Sequence, residues 1–289
     1  MSVCLFIWTC PDPDKPVCLK YHERTVYNMP IQKKLKGLIS AALTASILAF
    51  STSAVEPVHT TINNTPVDMD ARLIGQTTYV SYESASSLFT AVTGSSHEIS
   101  VTAGENYITV SGRYLGGSEN LIIDGALFIP IRSITEVYGA SVSWDDATRS
   151  VGLTTDSGYQ FESGDSYYRD DEVYWLSRII NAESSGEPMT GKILVGNVVL
   201  NRVRHDDFPN TIYGVIFDSK FGVQFTPTAN GTIYNTPTAE SVIAAKIVLD
   251  GYTLSREALY FLNPAIATSS WITENRSYVT TIGNHDFYS

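Results

Sequence analysis

The sequence predicts an α+β protein in two parts: a strand-rich repeat module of strand-helix-strand units, then a helix-rich mixed domain with small strands. Three observations carry that prediction. Residues 56–155 hold short alternating runs of β-branched and aromatic residues, such as Thr78-Tyr79-Val80-Ser81-Tyr82 and Tyr107-Ile108-Thr109-Val110. The stretch Thr77-Thr78-Tyr79-Val80-Ser81-Tyr82-Glu83-Ser84-Ala85 is answered by Ala126-Leu127-Phe128-Ile129-Pro130-Ile131-Arg132-Ser133-Ile134, each copy a strand running into an amphipathic helix. From Glu172 onward the apolar residues recur at helical spacing instead. With 289 residues, 43% hydrophobic and 17% charged, the chain can bury two cores.

The first residues are expected to lie outside both parts. Met29-Pro30-Ile31-Gln32-Lys33-Lys34-Leu35-Lys36, the apolar stretch Leu38 to Phe50 and the small residues Ser51-Thr52-Ser53-Ala54 read as a signal peptide over 29–54, cleaved after Ala54. The apolar stretch falls short of the roughly 20 residues that span a bilayer. Residues 1–28 read as an upstream extension with Met29 as the true start, and they hold all three cysteines, Cys4, Cys10 and Cys18. On that reading the exported part has no cysteine, which excludes disulfides, thiolate metal sites and a cysteine nucleophile. Six of the 19 basic and three of the 30 acidic residues precede Val55, leaving 13 against 27 and a net charge of −14. Nucleic acid is excluded as a partner of such a surface, and anionic lipid is a poor one.

Along the chain, the second repeat copy continues into a helix stopped at Gly139, a strand, an Asp145-Asp146 turn and a returning strand ending near Leu153. Residues 156–171, polar and Gly-bearing with several Tyr and Asp, read as the linker. The first helix of the second domain, 172–289, starts near Asp170 or Asp171 and carries Val173, Leu176, Ile179 and Ile180 on one face. A second helix, capped by Thr190, is apolar on nearly every side from Ile193 to Val203 and should be buried. Phe208 to Phe217 predicts a turn and a short helix capped by Asn210 or Thr211, and Thr238 to Gly251 a longer helix. Ala258 to Phe261 reads as a strand, and Tyr278 to Phe287 as a terminal strand or extended segment.

One acid stands out. Gly186 and Pro188 must end the first helix, which places Glu183 in its last turn. The helix C-terminus carries partial negative charge and an apolar surround disfavours the carboxylate, so both push the pKa of this Glu upward and fit it to general acid work. The alternative is a solvated Glu at a helix end, the commoner state of the residue type.

Two resemblances follow. The repeat and its Trp144-Asp145-Asp146 hairpin, over about residues 65–155, resemble the module named after the N-terminal domain of copper amine oxidases. This implies a binding or spacer role and a wall or spore protein partner, but no copper, since His59 and His97 are its only histidines. In the second domain the motifs run Ala182-Glu183-Ser184-Ser185-Gly186-Glu187-Pro188, Asn201-Arg202-Val203, Phe208-Pro209-Asn210-Thr211-Ile212, Gln224-Phe225, Ala258-Leu259-Tyr260-Phe261-Leu262-Asn263-Pro264, Trp271 and Ile282-Gly283-Asn284-His285-Asp286-Phe287-Tyr288. They resemble the SleB/CwlJ-type spore-cortex-lytic and cell wall hydrolases over nearly all of 172–289. The pair Ser184-Ser185 departs from a pattern that often carries a basic residue there.

The resemblance implies a secreted enzyme of the cell wall or spore cortex, without cofactor or metal, that cleaves peptidoglycan glycan strands with Glu183 as the acid. Asn201, Gln224, Tyr260 and Asn263 are then candidates to hydrogen-bond the substrate, and Phe225 and Trp271 to stack on sugar faces. Against this, Asn263 could cap a turn before Pro264, Phe225 and Tyr260 could be core, and His285 could orient a loop, contact substrate or be structural. Glu187 should leave the helix at Gly186 and support the turn, which leaves one acid where ordinary glycosidases need two. One acid suffices in a lytic transglycosylase, where the substrate's own hydroxyl is the nucleophile. The competing functions are an N-acetylmuramoyl-L-alanine amidase, which needs about three zinc ligands where the domain has only His205 and His285, and a noncatalytic wall-binding protein.

Overall fold

The structure, a computed structural model, describes residues 56–220 and 222–289. The expected upstream extension, the signal peptide and the three cysteines lie outside the described residues. Among the described residues no helix is long and apolar enough to cross a membrane.

The first module runs β1 (Glu56–Pro57), β2 (His59–Ile62), β3 (Thr65–Val67), β4 (Ala71–Ile74), β5 (Thr77–Ser81), α1 (Tyr82–Thr93), β6 (Ile99–Val101), β7 (Tyr107–Val110), β8 (Arg113–Gly116), β9 (Leu121–Ile123), β10 (Ala126–Pro130), α2 (Ile131–Val137), β11 (Ser141–Asp145) and β12 (Ser150–Thr154). The repeat has a structural meaning here. Strands β5 and β10 pair antiparallel with Val80 opposite Ile129, which are equivalent positions of the two copies, so a local two-fold relates them. Strands β4 and β9 flank them in the order β1-β4-β5-β10-β9. A second sheet, β11-β12-β2-β3, has β12 parallel to β2, and β6-β7-β8 form a third. Val80, Ile108 and Ile129 from the strands and Phe89 and Ile134 from the two helices are fully buried and form the core of this module.

The linker is folded. It contains α3 (Gly164–Tyr167), and Tyr168 beyond it is only 9% exposed. The Tyr168 hydroxyl accepts from the Tyr114 N–H (3.0 Å) and donates to Asp250 Oδ2 (2.7 Å). Arg113 gives the same carboxylate two further hydrogen bonds, Nε to Oδ2 (3.0 Å) and a terminal NH₂ to Oδ1 (2.5 Å). Polar composition predicted a tether, but its tyrosines pack and bind instead, fastening β8 to the end of a helix in the second module.

That module contains α4 (Asp170–Ser184), α5 (Met189–Arg204), α6 (Ile212–Ile216), α7 (Thr226–Asn230), α8 (Ala239–Leu249), β13 (Tyr260–Leu262), α9 (Trp271–Asn275), β14 (Tyr278–Ile282) and β15 (His285–Tyr288). Every residue of α5 from Gly191 to Arg202 is buried. The helix runs between α4 and α8 in close approach at Gly196, where a Cβ would sit 3.0 Å from both Ile180 Cδ1 and Val248 Cγ2 and could be admitted only if those methyls gave way. Thr211 caps α6 by accepting from the Gly214 N–H (3.0 Å), and Thr238 caps α8 by accepting from the Ser241 N–H (3.2 Å), as predicted.

Helix α4 starts at Asp170 with Asp170 and Asp171 in its first turn, as expected. Two local expectations change. Thr190 lies inside α5, which Pro188 precedes at the cap position. The terminal segment is a hairpin of two strands, because Gly283 turns the chain at φ +59. Strand β15 lies between β13 and β14 in a small sheet over the end of the helical core.

Candidate functional site

The second module opens onto a cleft of about 1080 Å³, walled by the end of α4, Arg202 in the last turn of α5, Asp218, Lys220 and residues 224–226, β13, α9 and the start of β15. Glu183 lines it, in the penultimate position of α4. The helix end is fixed by its neighbours: Asn181 Oδ1 accepts from the Thr238 N–H (3.0 Å) and from Ser241 Oγ (3.3 Å), tying α4 to the start of α8. Burial against the cleft wall pushes the Glu183 carboxyl up to about 7. Near neutral pH it is therefore populated in both forms, the condition for giving up a proton and taking one back.

Glu187, four residues on, is in the opposite state. It is 8% exposed, and its carboxylate accepts from the Asn284 backbone N–H and side-chain amide, both at 2.9 Å. Burial alone would raise its pKa, but the two hydrogen bonds from Asn284, with His285 and Lys192 nearby, outweigh it and hold the group below its ordinary value. A Cβ at position 283 would come within 1.9 Å of Glu187 Oε2, so only glycine admits this brace. Glu187 supports the β14–β15 turn.

Of the other predicted residues, Gln224, Phe225, Tyr260, Asn263, Trp271 and His285 all line the same cleft, although they lie far apart in the chain. Trp271 is 50% exposed, with the Arg276 guanidinium over its ring at 5.1 Å from the centroid. The Tyr260 ring stands near it, with centroids 6.2 Å apart, and Arg276 lies 4.5 Å from the Tyr260 centroid. Asn263 does cap its turn, its Oδ1 accepting from the Ala265 N–H (3.0 Å), while still edging the cleft. His285 is 8% exposed, edge-on to Phe261 and 3.9 Å from Glu187, and burial lowers its pKa.

Two expectations are corrected. Asn201 is not in the cleft: its amide donates to the carbonyls of Ser255 (3.0 Å) and Ala258 (2.9 Å), anchoring the loop that precedes β13. A buried amide is most stable with its donors satisfied, and here the backbone satisfies them. Phe225 is 3% exposed, too enclosed to stack on a sugar, and forms wall rather than platform.

The cleft also holds residues that were not singled out, chiefly Arg202, Asp207, Asp218 and Arg276. Arg202 is 5% exposed, and its guanidinium lies among three rings, 5.0 Å from the centroid of Phe208, 5.2 Å from Phe225 and 5.3 Å from Tyr260. Its Nε donates to the Leu259 carbonyl (2.7 Å), while one terminal NH₂ is buried without a hydrogen-bond partner among the described residues. Burial lowers its pKa to about 10. The available signal was its place in the Asn201-Arg202-Val203 motif, since α5 carries a second buried cation, Lys192, that lies outside the cleft. No three His, Cys, Asp or Glu side chains among the described residues are grouped as a metal site requires.

The fold and the cleft define the class: a two-module chain whose helical second module carries a cleft with one buried, raised-pKa acid among amides, aromatic rings and guanidinium groups. The sequence profile of the cell wall hydrolases matches residues 186–288, and that of the copper amine oxidase N-terminal domain matches residues 65–153. The spore cortex-lytic enzyme of Bacillus cereus is 32% identical over 160 residues, 51% of this chain and 60% of that enzyme, so the chain spans about three fifths of this relative's length. The cell wall hydrolase CwlJ of Oceanobacillus iheyensis is 30% identical over 107 residues, 35% of this chain and 74% of that protein. The catalytic domain of the germination-specific lytic transglycosylase SleB from Bacillus anthracis is 37% identical with a TM-score of 0.39, covering 43% of this chain and 98% of that domain. The chain belongs to the cell wall hydrolase family.

Proposed function

We propose that the protein cleaves peptidoglycan glycan strands between N-acetylmuramic acid and N-acetylglucosamine as a lytic transglycosylase, with Glu183 as the one acid and base. The observation that carries this reading is a buried carboxyl with a pKa of about 7 in a long cleft lined by sugar-compatible groups. Protonated Glu183 gives its proton to the glycosidic oxygen as the bond to the muramic C1 breaks. The resulting carboxylate takes the proton of the muramic 6-hydroxyl as that oxygen bonds to C1, closing a 1,6-anhydro ring and restoring the acid. No water is consumed and no second carboxylate is needed. Gln224 and Asn263 edge the cleft where amides would meet N-acetyl groups, and Trp271 with Tyr260 offers ring faces. The protein's relatives, a spore cortex-lytic enzyme and a cell wall hydrolase, support action on the spore cortex or the cell wall, which we place after export, during germination or wall remodelling.

Asp207 and Asp218 in the same cleft support a second outcome, in which a water they position replaces the 6-hydroxyl and leaves a reducing end. The test is mass spectrometry of fragments released from purified peptidoglycan by the protein and by its Glu183→Gln variant. Fragments one water lighter than hydrolysis products, absent with the variant, are expected. Reducing ends would assign the hydrolytic outcome, and freed stem peptides would overturn glycan cleavage in favour of an amidase.

A further inference from the structure

We propose that the cleft between the two modules is a second, non-cleaving site for the same N-acetylated glycan, with Trp144 as its stacking platform. The inference rests on the substrate proposed above. This cleft has a volume of about 800 Å³ and is walled by the first module on one side and by residues 250–253 on the other.

Trp144 is the first reason. It is 39% exposed, a large aromatic side chain with an accessible ring face. Val142 and Trp144 share one face of β11, and both line the cleft, so the indole faces the cavity rather than open solvent. An indole set in the wall of a cavity offers an apolar ring face beside a polar N–H, which suits a ligand of mixed character.

The platform is also held ready. Trp144 Nε1 donates to Asp146 Oδ1 (2.7 Å), and the turn beneath is pinned by Asp145 Oδ1, which accepts from the Ala147 N–H (2.8 Å) and the Thr148 N–H (3.2 Å). The opposite wall is equally fixed: Asn197 donates to the Tyr252 carbonyl (3.0 Å) and accepts from the Leu254 N–H (2.8 Å). Two preset walls cost a ligand little ordering entropy.

The polar lining then sets the ligand class. Gln76, Thr77, Ser118 and Thr253 present amide and hydroxyl groups around the indole, the pairing that suits a pyranose with its apolar ring face and polar rim. With a net charge of −14 after Ala54, the protein cannot gather an anionic wall by long-range attraction, so the glycan is held by contacts within the cleft: stacking, hydrogen bonds and the Arg132 and Arg149 side chains that also line it. Three acids line this cleft and each has a partner in the protein: Glu136 on α2 lies 3.6 Å from Arg113, Asp250 is hydrogen-bonded to the same arginine, and Asp146 holds the Trp144 indole.

The experiment uses the Glu183→Gln chain, which binds without cutting, and a soluble hexasaccharide of alternating N-acetylglucosamine and N-acetylmuramic acid followed by calorimetric titration. Two sites are expected. Adding Trp144→Ala should weaken one of them about tenfold, and Trp144→Tyr should restore most of it. Gln76→Ala, at an exposed turn, gives an independent weakening of the same site should the Trp144→Ala chain melt early. One site in the Glu183→Gln chain, or two sites unmoved by Trp144→Ala and Gln76→Ala, overturns the proposal, as does a Trp144 effect seen only with a wall protein and never with the glycan. With Glu183 intact, Trp144→Ala should leave turnover of the soluble glycan unchanged while slowing release from insoluble wall several-fold. Absence of any glycan cleavage by the unaltered protein would instead fell the proposed function, a result separable from the binding readout.

Discussion

Two arginines are buried to the same degree and lead opposite lives. Arg113 at the module junction and Arg202 in the cleft are each 5% exposed, and each lies among aromatic rings. Arg113 has a bidentate partner in Asp250, itself almost fully buried, and those hydrogen bonds lift its pKa despite burial. Arg202 has one backbone carbonyl and, among the described residues, no carboxylate in hydrogen-bond reach, and burial lowers its pKa to about 10 against the weaker opposing pull of Tyr260 and Asp218. The difference separates structure from chemistry: a compensated buried charge fastens modules together, and an uncompensated one waits for a partner outside the chain. Glu183 and Glu187 repeat the contrast four residues apart, one raised by burial, the other held down by hydrogen bonds.

Removing the uncompensated acid should have the largest effect. Glu183→Gln is expected to lower glycan cleavage by about 10²–10⁴-fold, read from product release, with the fold intact. The pH dependence follows from a folded pKa of about 7 above the ordinary 4.5. The acid form is needed, so kcat/KM should fall as pH rises through about 7. In stability the raised carboxyl is no burden below about pH 4.5 and a growing one up to about 7, so the Gln variant should gain up to about 3 kcal/mol over the parent above pH 7 in chemical denaturation.

Asp250→Asn tests the other half of the comparison. It leaves Arg113 buried beside a neutral amide and should cost about 3–5 kcal/mol of stability, measured by urea unfolding, with glycan cleavage by the surviving folded protein unchanged. An equal loss on Arg202→Met would break the contrast drawn above. The expectation is a stability change of less than about 1 kcal/mol, because no carboxylate is orphaned, with activity falling at least about tenfold.

The smallest effect should come from Glu187→Gln, about 1–2 kcal/mol, from weakening the charge-assisted bonds to Asn284. Glu187 has a lowered folded pKa, so its contribution is full above the ordinary carboxylate range and is lost as pH falls through the lowered value. The gap between parent and variant should therefore close in acid denaturation. A gap that persisted at low pH would mean that Glu187 braces the turn by shape alone.

Much of this was legible in one dimension, and particular residues show why. Gly186 and Pro188 end α4 by local sterics, so the placement of Glu183 one residue from its end needed no tertiary information. Thr211 and Thr238 cap their helices because a side-chain oxygen reaches its own first turn. Asn201 could not be read in the same way. An amide on a buried helix looks identical whether it faces a ligand or the carbonyls of Ser255 and Ala258, which lie over fifty residues downstream. The linker misled for a related reason: Tyr168 is polar in composition, yet its partners, Tyr114 and Asp250, come from both sides of it in sequence.

By itself, then, the sequence determined the two-part architecture, the strand-helix repeat, the helix ends and the candidacy of Glu183, because each depends on interactions within a few residues or on periodic burial. Only the tertiary structure decided that Arg202 lies uncompensated in the cleft, that Glu187 braces a distant turn, that Phe225 is wall, and that Trp144 faces a second cavity. Those outcomes depend on which groups meet across the fold, and a charge or a ring takes its role from the partners that packing brings to it or withholds.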